Sequence, residues 1–147
     1  MSVNRIHFTV PGQPVPKGRP IAGRGFNGHT TLRTPEKTVI YENLVRMQAD
    51  AAMAMRAPLP GPIRLDIDIL LQVPASWSNR RQTKAIEGDI AATKKPDADN
   101  VLKALKDGMN GVVYVDDSQV VEIRVSKRYG AIPGVSVVVE PIARESA

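Results

Sequence analysis

Residues 94–121 read KKPDADNVLKALKDGMNGVVYVDDSQVV and gather Asp97, Asp99, Asp107, Asp116 and Asp117 around Lys103, in a chain whose formal net charge is +5. Clustered carboxylates resist common ionisation unless something positive, or water, lies among them. Lys103, a metal ion or solvent can each play that part. The run "DNVLKALKDGMNG" reads as a helix, with Gly111 as its expected stop. On its wheel Asp99, Lys103, Lys106 and Asn110 fall within about 60° of one another, while Val101, Leu102, Leu105 and Met109 form a separate apolar arc. Asp99 therefore stands one turn from Lys103. Asp97 lies at the helix start, where the positive end of the dipole favours a carboxylate.

Each piece taken singly has an ordinary structural explanation. Asp97 can be an N-cap, Asp99 and Lys103 an i,i+4 ion pair contributing about 0.2–0.5 kcal/mol, and Asp116–Asp117 a turn. The conjunction with Asn100 and Gln119 points instead to phosphodiester hydrolysis, which must stabilise charge on a pentacoordinate phosphorus and supply a nucleophilic water near neutral pH. Magnesium serves both needs and prefers a few carboxylate oxygens plus retained waters. Carboxylates converging from the helix start and from the "VDDSQ" turn make such an open site, with Lys103 placed to neutralise the phosphorane or the leaving oxygen. Without a cation the acids repel a phosphate backbone; with one, the local sign reverses. The absence of cysteine, and two histidines (His7 and His29) remote from this segment, argue against zinc.

The elements that must position these groups follow from periodicity. "RIHFTV" alternates as a first strand, with Ile6, Phe8 and Val10 on one face. Residues 11–33 are too rich in Pro and Gly to predict regular structure, and a loop of that length in a small domain is functional or disordered. "TPEKTVIYENLVRMQADAAMAM" predicts a helix with Thr34 as N-cap, Pro35 at N1 and a buried stripe of Ile40, Leu44, Met47 and Ala51; the five methionines are read chiefly as core filler. "IRLDIDILLQV" is a second strand with Ile63, Leu65, Ile67, Ile69 and Leu71 inward; Asp66 and Asp68 face the other way, as solvated residues or as ligands. Residues 74–96 form a polar, basic connection with room for one short helix, in which Trp77 stacks on a base or packs the loop onto the core. "SQVVEIRVSKRY" and "VSVVVEPI" alternate and predict an antiparallel hairpin, followed by a loose tail at 143–147. The result is an α+β fold: a small mixed sheet of about four strands with two main helices packed on it, in one domain spanning 1–147.

Composition sets the bounds. With 147 residues, 42% of them apolar, the chain can bury a core. No apolar run approaches the roughly 18 residues of a membrane span, and "MSVNRIHFTV" has no secretory h-region. Without cysteine, disulfides and thiolate metal sites are excluded, so a reducing, cytoplasmic setting is expected. Lys+Arg number 20 against 15 Asp+Glu. Lys17, Arg19 and Arg24 share one loop, and Arg80, Arg81, Lys84, Lys94 and Lys95 lead up to the acidic segment. A positive approach to a negative pocket suits a nucleic-acid backbone, although two solvated loops account for the same charges.

"KPDADNVLKALKDGMNG…YVDDSQVVEIRVSK" closely resembles the RusA family of Holliday junction resolvases, and "PGQPVPKGRP", "TPEKTVIYE" and "KRYG…PGVSVVV" resemble its phage and prophage branch. The family pattern is an Asp-x-Asp-Asn at a helix start, a Lys four residues after the second Asp, and a downstream Asp-Asp-x-Gln-Val. Asp97, Asp99, Asn100, Lys103, Asp116, Asp117, Gln119 and Val120 fill those positions. The resemblance implies Asp97, Asp99 and Asp117 as essential carboxylates, Asp116 as a supporting ligand and Lys103 as the catalytic lysine. It further implies magnesium, with manganese as a substitute, and a symmetric homodimer nicking DNA four-way junctions to leave 5′-phosphate and 3′-hydroxyl ends in a bacterial or phage-infected cell. Lys17, Arg19, Arg80, Arg81, Lys94 and Lys95 are the expected DNA contacts. A branched-DNA binder that does not cut, or a metal nuclease for other branches, are the alternatives.

Overall fold

In the computed structural model, which describes residues 5–25 and 27–147, the order is β1 (Ile6–Pro11), β2 (Ile21–Arg24), β3 (Thr30–Arg33), α1 (Glu36–Met53), β4 (Ile63–Gln72), α2 (Asn79–Ile86), α3 (Ala98–Met109), β5 (Val120–Gly130) and β6 (Gly134–Pro141). Four strands form one mixed sheet in the order β1-β6-β4-β5. This is the expected α+β architecture. Alternation places Ile6, Phe8 and Val10 of β1, Ile63, Leu65, Ile67, Ile69 and Leu71 of β4 and Val135, Val137 and Val139 of β6 on one face, all buried. The helices cover that face. The opposite face is polar and knitted across strands: Arg64 meets Glu140 at 2.6 Å and Glu122 at 3.4 Å, Arg124 meets Asp66 at 2.9 Å, Ser126 bonds Asp68, and His7 bonds Ser136 at 3.0 Å. Asp66 and Asp68 thus have cross-strand partners. A sheet solvated on one face shows this division.

Several expectations are corrected. The last two strands are not a hairpin, because β4 lies between them, antiparallel to β6 and parallel to β5. Two helices connect β4 to β5, and a crossover of that length delivers a parallel strand. The valine-rich β6 takes the interior position next to β4, and the charged β5 takes the edge, which suits its half-exposed pattern. Gly130 allows the chain to turn over the end of β4, since a Cβ there would lie 3.0 Å from Leu70 Cβ. Second, the 11–33 segment contains regular structure: β2 and β3 pair antiparallel from Ile21↔Arg33 to Arg24↔Thr30, with residue 26 outside the described set. The ribbon is tied down where Thr38 Oγ1 accepts from the Gly18 N–H at 3.0 Å.

Third, α1 buries a different stripe. Thr38, Tyr41, Val45, Ala49 and Met53 face the core, whereas Ile40 and Met47 are 61% and 64% exposed. Apolar residues lie on both sides of this helix, so the choice falls to its neighbour. Gly108 of α3 comes so close that an added Cβ would stand 2.7 Å from Val45 Cβ and 3.0 Å from the Glu42 carbonyl oxygen. That approach turns the side of α1 bearing the β-branched Val45 toward α3. The helix also begins one residue later than expected, with Pro35 rather than Thr34 at the N-cap position and no side-chain cap. Of the described methionines, Met53 and Met109 are core, while Met47 and Met55 are exposed.

Two stability outcomes follow from these contacts. Gly108→Ala gains up to about 1 kcal/mol of helix propensity but overpacks the α1–α3 contact by roughly 1–3 kcal/mol, so a lower urea midpoint is expected. The Tyr41 hydroxyl is buried with no hydrogen-bond partner among the described residues. Tyr41→Phe removes that orphan and should leave stability unchanged or raise it by up to about 1 kcal/mol. A lower melting temperature for Tyr41→Phe would reveal a partner for the hydroxyl.

Candidate active site

The acidic segment is delivered by α3 and by the turn before β5. α3 buries Val101, Ala104, Leu105, Gly108 and Met109 and leaves Asp99 and Lys103 exposed, with Leu102 half-buried at the margin. Asp97 occupies the N-cap position, yet its carboxylate makes no capping hydrogen bond. The chain ahead of it is held from β5: Lys127 Nζ donates to the Lys94 and Pro96 carbonyls at 2.8 and 3.0 Å. At the other end of α3, Arg46 of α1 donates to the Asp107 and Gly108 carbonyls at 3.3 and 3.4 Å, satisfying groups a helix terminus leaves open.

Asp116 and Asp117 have different surroundings. Asp116 caps the short 3-10 turn Asp117–Gln119, accepting from the Ser118 N–H at 3.1 Å, and bonding to Ser118 holds its carboxyl below the usual carboxylate range. Here the ordinary turn explanation applies. Among the described residues Asp97, Asp99 and Asp117 have no cationic partner within 4 Å and Lys103 has no anionic one, so the i,i+4 pair between Asp99 and Lys103 is not formed.

Asp99 and Asp117 line one pocket of about 300 Å³ together with Leu102, Lys103, Lys106 and Asp107. Beneath it the buried Tyr114 hydroxyl donates to the Lys106 carbonyl at 2.9 Å; burial, and then the charges of Asp117, Asp107 and Asp116, push its pKa up. Asp97 faces a neighbouring cleft of about 550 Å³, lined by Pro16, Lys17, Arg19, Lys95, Pro96 and Asn100. Among the described residues no three acidic or histidine side chains converge tightly enough to hold a metal by themselves. Asp99 and Asp117, the two carboxylates of that pocket not engaged by Lys17, with room for water and a phosphate, nonetheless fit the donor set magnesium takes in phosphoryl chemistry.

The basic residues divide similarly. Lys17 lines the Asp97 cleft, but its ammonium contacts Glu42 at 2.6 Å and Asp107 at 3.0 Å. Burial works against its charge, but those hydrogen bonds prevail and its pKa is raised. Lys17 thus links the loop before β2 to both α1 and α3. Arg80, Arg81 and Lys84 line a separate cleft of about 440 Å³ with Ser78, Asp89 and Ile90, and no ion pair within 4 Å engages them among the described residues. Arg81 lies over the Trp77 ring at 4.2 Å, and Trp77 meets Tyr129 edge-on at 5.4 Å, so this tryptophan packs the connection onto β5. Lys94 and Lys95 are exposed. Sequence reasoning assigned no role to Asp107, Lys106 or Lys127. The polar arc of α3 signalled Lys106 and the acidic cluster signalled Asp107, whereas nothing local signalled Lys127.

The family described as endodeoxyribonuclease RusA matches residues 11–140. Over 140 residues the chain is also 37% identical to a Bacillus subtilis (strain 168) protein known only as uncharacterized protein YqaN, covering 94% of this chain and 97% of that one. The match runs from the last residue of β1 through Glu140 of β6 and takes in the pocket, the acidic start of α3 and the acidic turn, and the chain therefore belongs to the RusA family of endodeoxyribonucleases, which act on Holliday junctions.

Proposed function

We propose that this chain resolves DNA four-way junctions by magnesium-dependent phosphodiester hydrolysis, cutting opposed strands in pairs as a homodimer during recombination and repair in the cytoplasm of a bacterial or phage-infected cell. The observation that carries the reading is the pocket in which Asp99 and Asp117 face Lys103. Asp99 and Asp117 would hold the cation, Asp97 would extend the set from the adjacent cleft, and Asp116 would support it. Bound there, magnesium (or manganese in its place) would supply Lewis acidity and a water of lowered pKa. Lys103, exposed and without an ion-pair partner among the described residues, stabilises negative charge on the phosphoryl oxygens as water adds to phosphorus and the bond to the 3′-oxygen breaks. The proton passes to that oxygen, leaving 5′-phosphate and 3′-hydroxyl ends. Twofold symmetry in the junction calls for two equal sites, which a C2 dimer provides.

Arg19, Lys94 and Lys95, with the Arg80–Arg81–Lys84 cleft, supply positive charge for the sugar–phosphate backbone, and each phosphate contact should steepen the salt dependence of binding by roughly 0.9 in log–log slope. The test is a labelled four-way junction incubated with and without magnesium. Paired, ligatable nicks that vanish with chelator are expected. A shifted band without product at any magnesium concentration would make the chain a binder. Products from flaps but not junctions would make it a nuclease for other branches.

A further inference from the structure

The side chain of Gln119 makes four hydrogen bonds, every one to backbone. Its Oε1 accepts from the Val115 and Asp116 N–H groups at 2.8 and 2.9 Å, and its Nε2 donates to the Leu59 and Gly61 carbonyls at 2.8 and 2.9 Å. The first pair fixes the segment leading into the acidic turn. The second anchors that turn to the segment before β4, about 60 residues away in sequence and reinforced where the Leu59 N–H donates to the Val113 carbonyl at 2.8 Å. A carboxamide is the one side-chain group that accepts two bonds and donates two in a single plane; glutamate has no donors for the two carbonyls, and lysine has no acceptor. Asp117 lies two residues from this clamp. Its backbone has no strand ladder of its own, since β5 begins only at Val120.

We infer that Gln119 is the positioning residue for Asp117: by tying the acidic turn to the segment before β4 it fixes the turn's backbone, and thereby the placement of the Asp117 carboxylate in the pocket it shares with Asp99. The inference rests on the proposed metal site. Gln119 touches neither cation nor DNA in this account. Supporting groups of this kind alter metal affinity or activity by roughly 10–100-fold when removed.

Gln119→Ala and Gln119→Glu test it with three readouts on the full chain. Amide hydrogen exchange over residues 113–119 reports the turn. Manganese binding to the free protein, read from the aqueous Mn2+ resonance, reports the site without catalysis. Junction cutting across a magnesium series, with junction binding in chelator alongside, reports function. Faster exchange at Val115 and Asp116, a manganese dissociation constant or half-saturating magnesium raised roughly tenfold or more, and junction binding within twofold of wild type are expected. Loosened exchange with an unchanged metal requirement would reduce Gln119 to a fold residue and overturn the inference, as would unchanged exchange. A wild type that binds manganese but cuts no junction would refute the nuclease reading alone, leaving manganese binding by the variants to decide about Gln119. A wild type that neither binds manganese nor cuts removes both.

Discussion

Asp99→Asn is expected to lower magnesium-dependent junction cutting by at least about a thousandfold while leaving junction binding in chelator within a few-fold of wild type. Electrostatic stabilisation by a bound cation amounts to several kcal/mol, and each 1.36 kcal/mol is a factor of ten in rate. Asparagine keeps the volume and one carbonyl oxygen but loses the charge that a hard cation requires. The fold should tolerate the change: Asp99 is exposed, has no ion-pair partner within 4 Å among the described residues, and contributes to α3 chiefly as a first-turn acid. Losing that dipole interaction costs about 0.3–1 kcal/mol, a few degrees of melting temperature at most. Binding can even tighten, since a negative charge facing phosphate has been removed. Cutting at close to the wild-type rate by a folded Asp99→Asn protein would place the metal elsewhere.

Lys103→Ala should cut more slowly by roughly 100–1000-fold at saturating magnesium, the loss associated with one preorganised donor at a developing oxyanion. The half-saturating magnesium concentration should stay where it is, because Lys103 acts on the phosphoryl group rather than on the carboxylates. That split separates the lysine from the aspartates. Were Lys103 merely the i,i+4 partner of Asp99, its removal would cost only about 0.2–0.5 kcal/mol of stability and leave the rate untouched. The absence of that ion pair favours the catalytic role. Lys103→Arg should recover part of the rate through charge alone, with the remainder lost because a planar fork does not reproduce a point charge on the same stem. An alanine variant as fast as wild type would leave Lys103 as surface charge.

The motif residues carried the reading of function well because they are local. Asp97, Asp99, Asn100 and Lys103 fall within one helical start, and their spacing and the apolar arc of α3 are properties of neighbouring residues alone. The alternation of Ile6, Phe8 and Val10, and of Ile63 to Leu71, likewise marked strands whose faces the structure buries. Hydrophobic period is a short-range quantity and survives without knowledge of the partner.

What distant segments decide was not legible. α1 offers two apolar stripes, and only the close approach of Gly108 to Val45 selects the one bearing Tyr41, Val45, Ala49 and Met53. β5 and β6 alternate alike, yet a crossover and the demand of β4 for an apolar neighbour set them on opposite sides. Lys17 looked free for DNA, but Glu42 and Asp107 converge on it from two helices. Asp116 and Asp117 are chemically identical in sequence; the turn engages the first as a cap and leaves the second facing Asp99. The chain by itself therefore determined the four strands of the main sheet, the α3 amphipathy and the acid–lysine motif, all encoded within a few residues. Tertiary structure alone decided which face, which neighbour and which carboxylate, because those choices compare the free energies of contacts between segments that sequence order does not bring together.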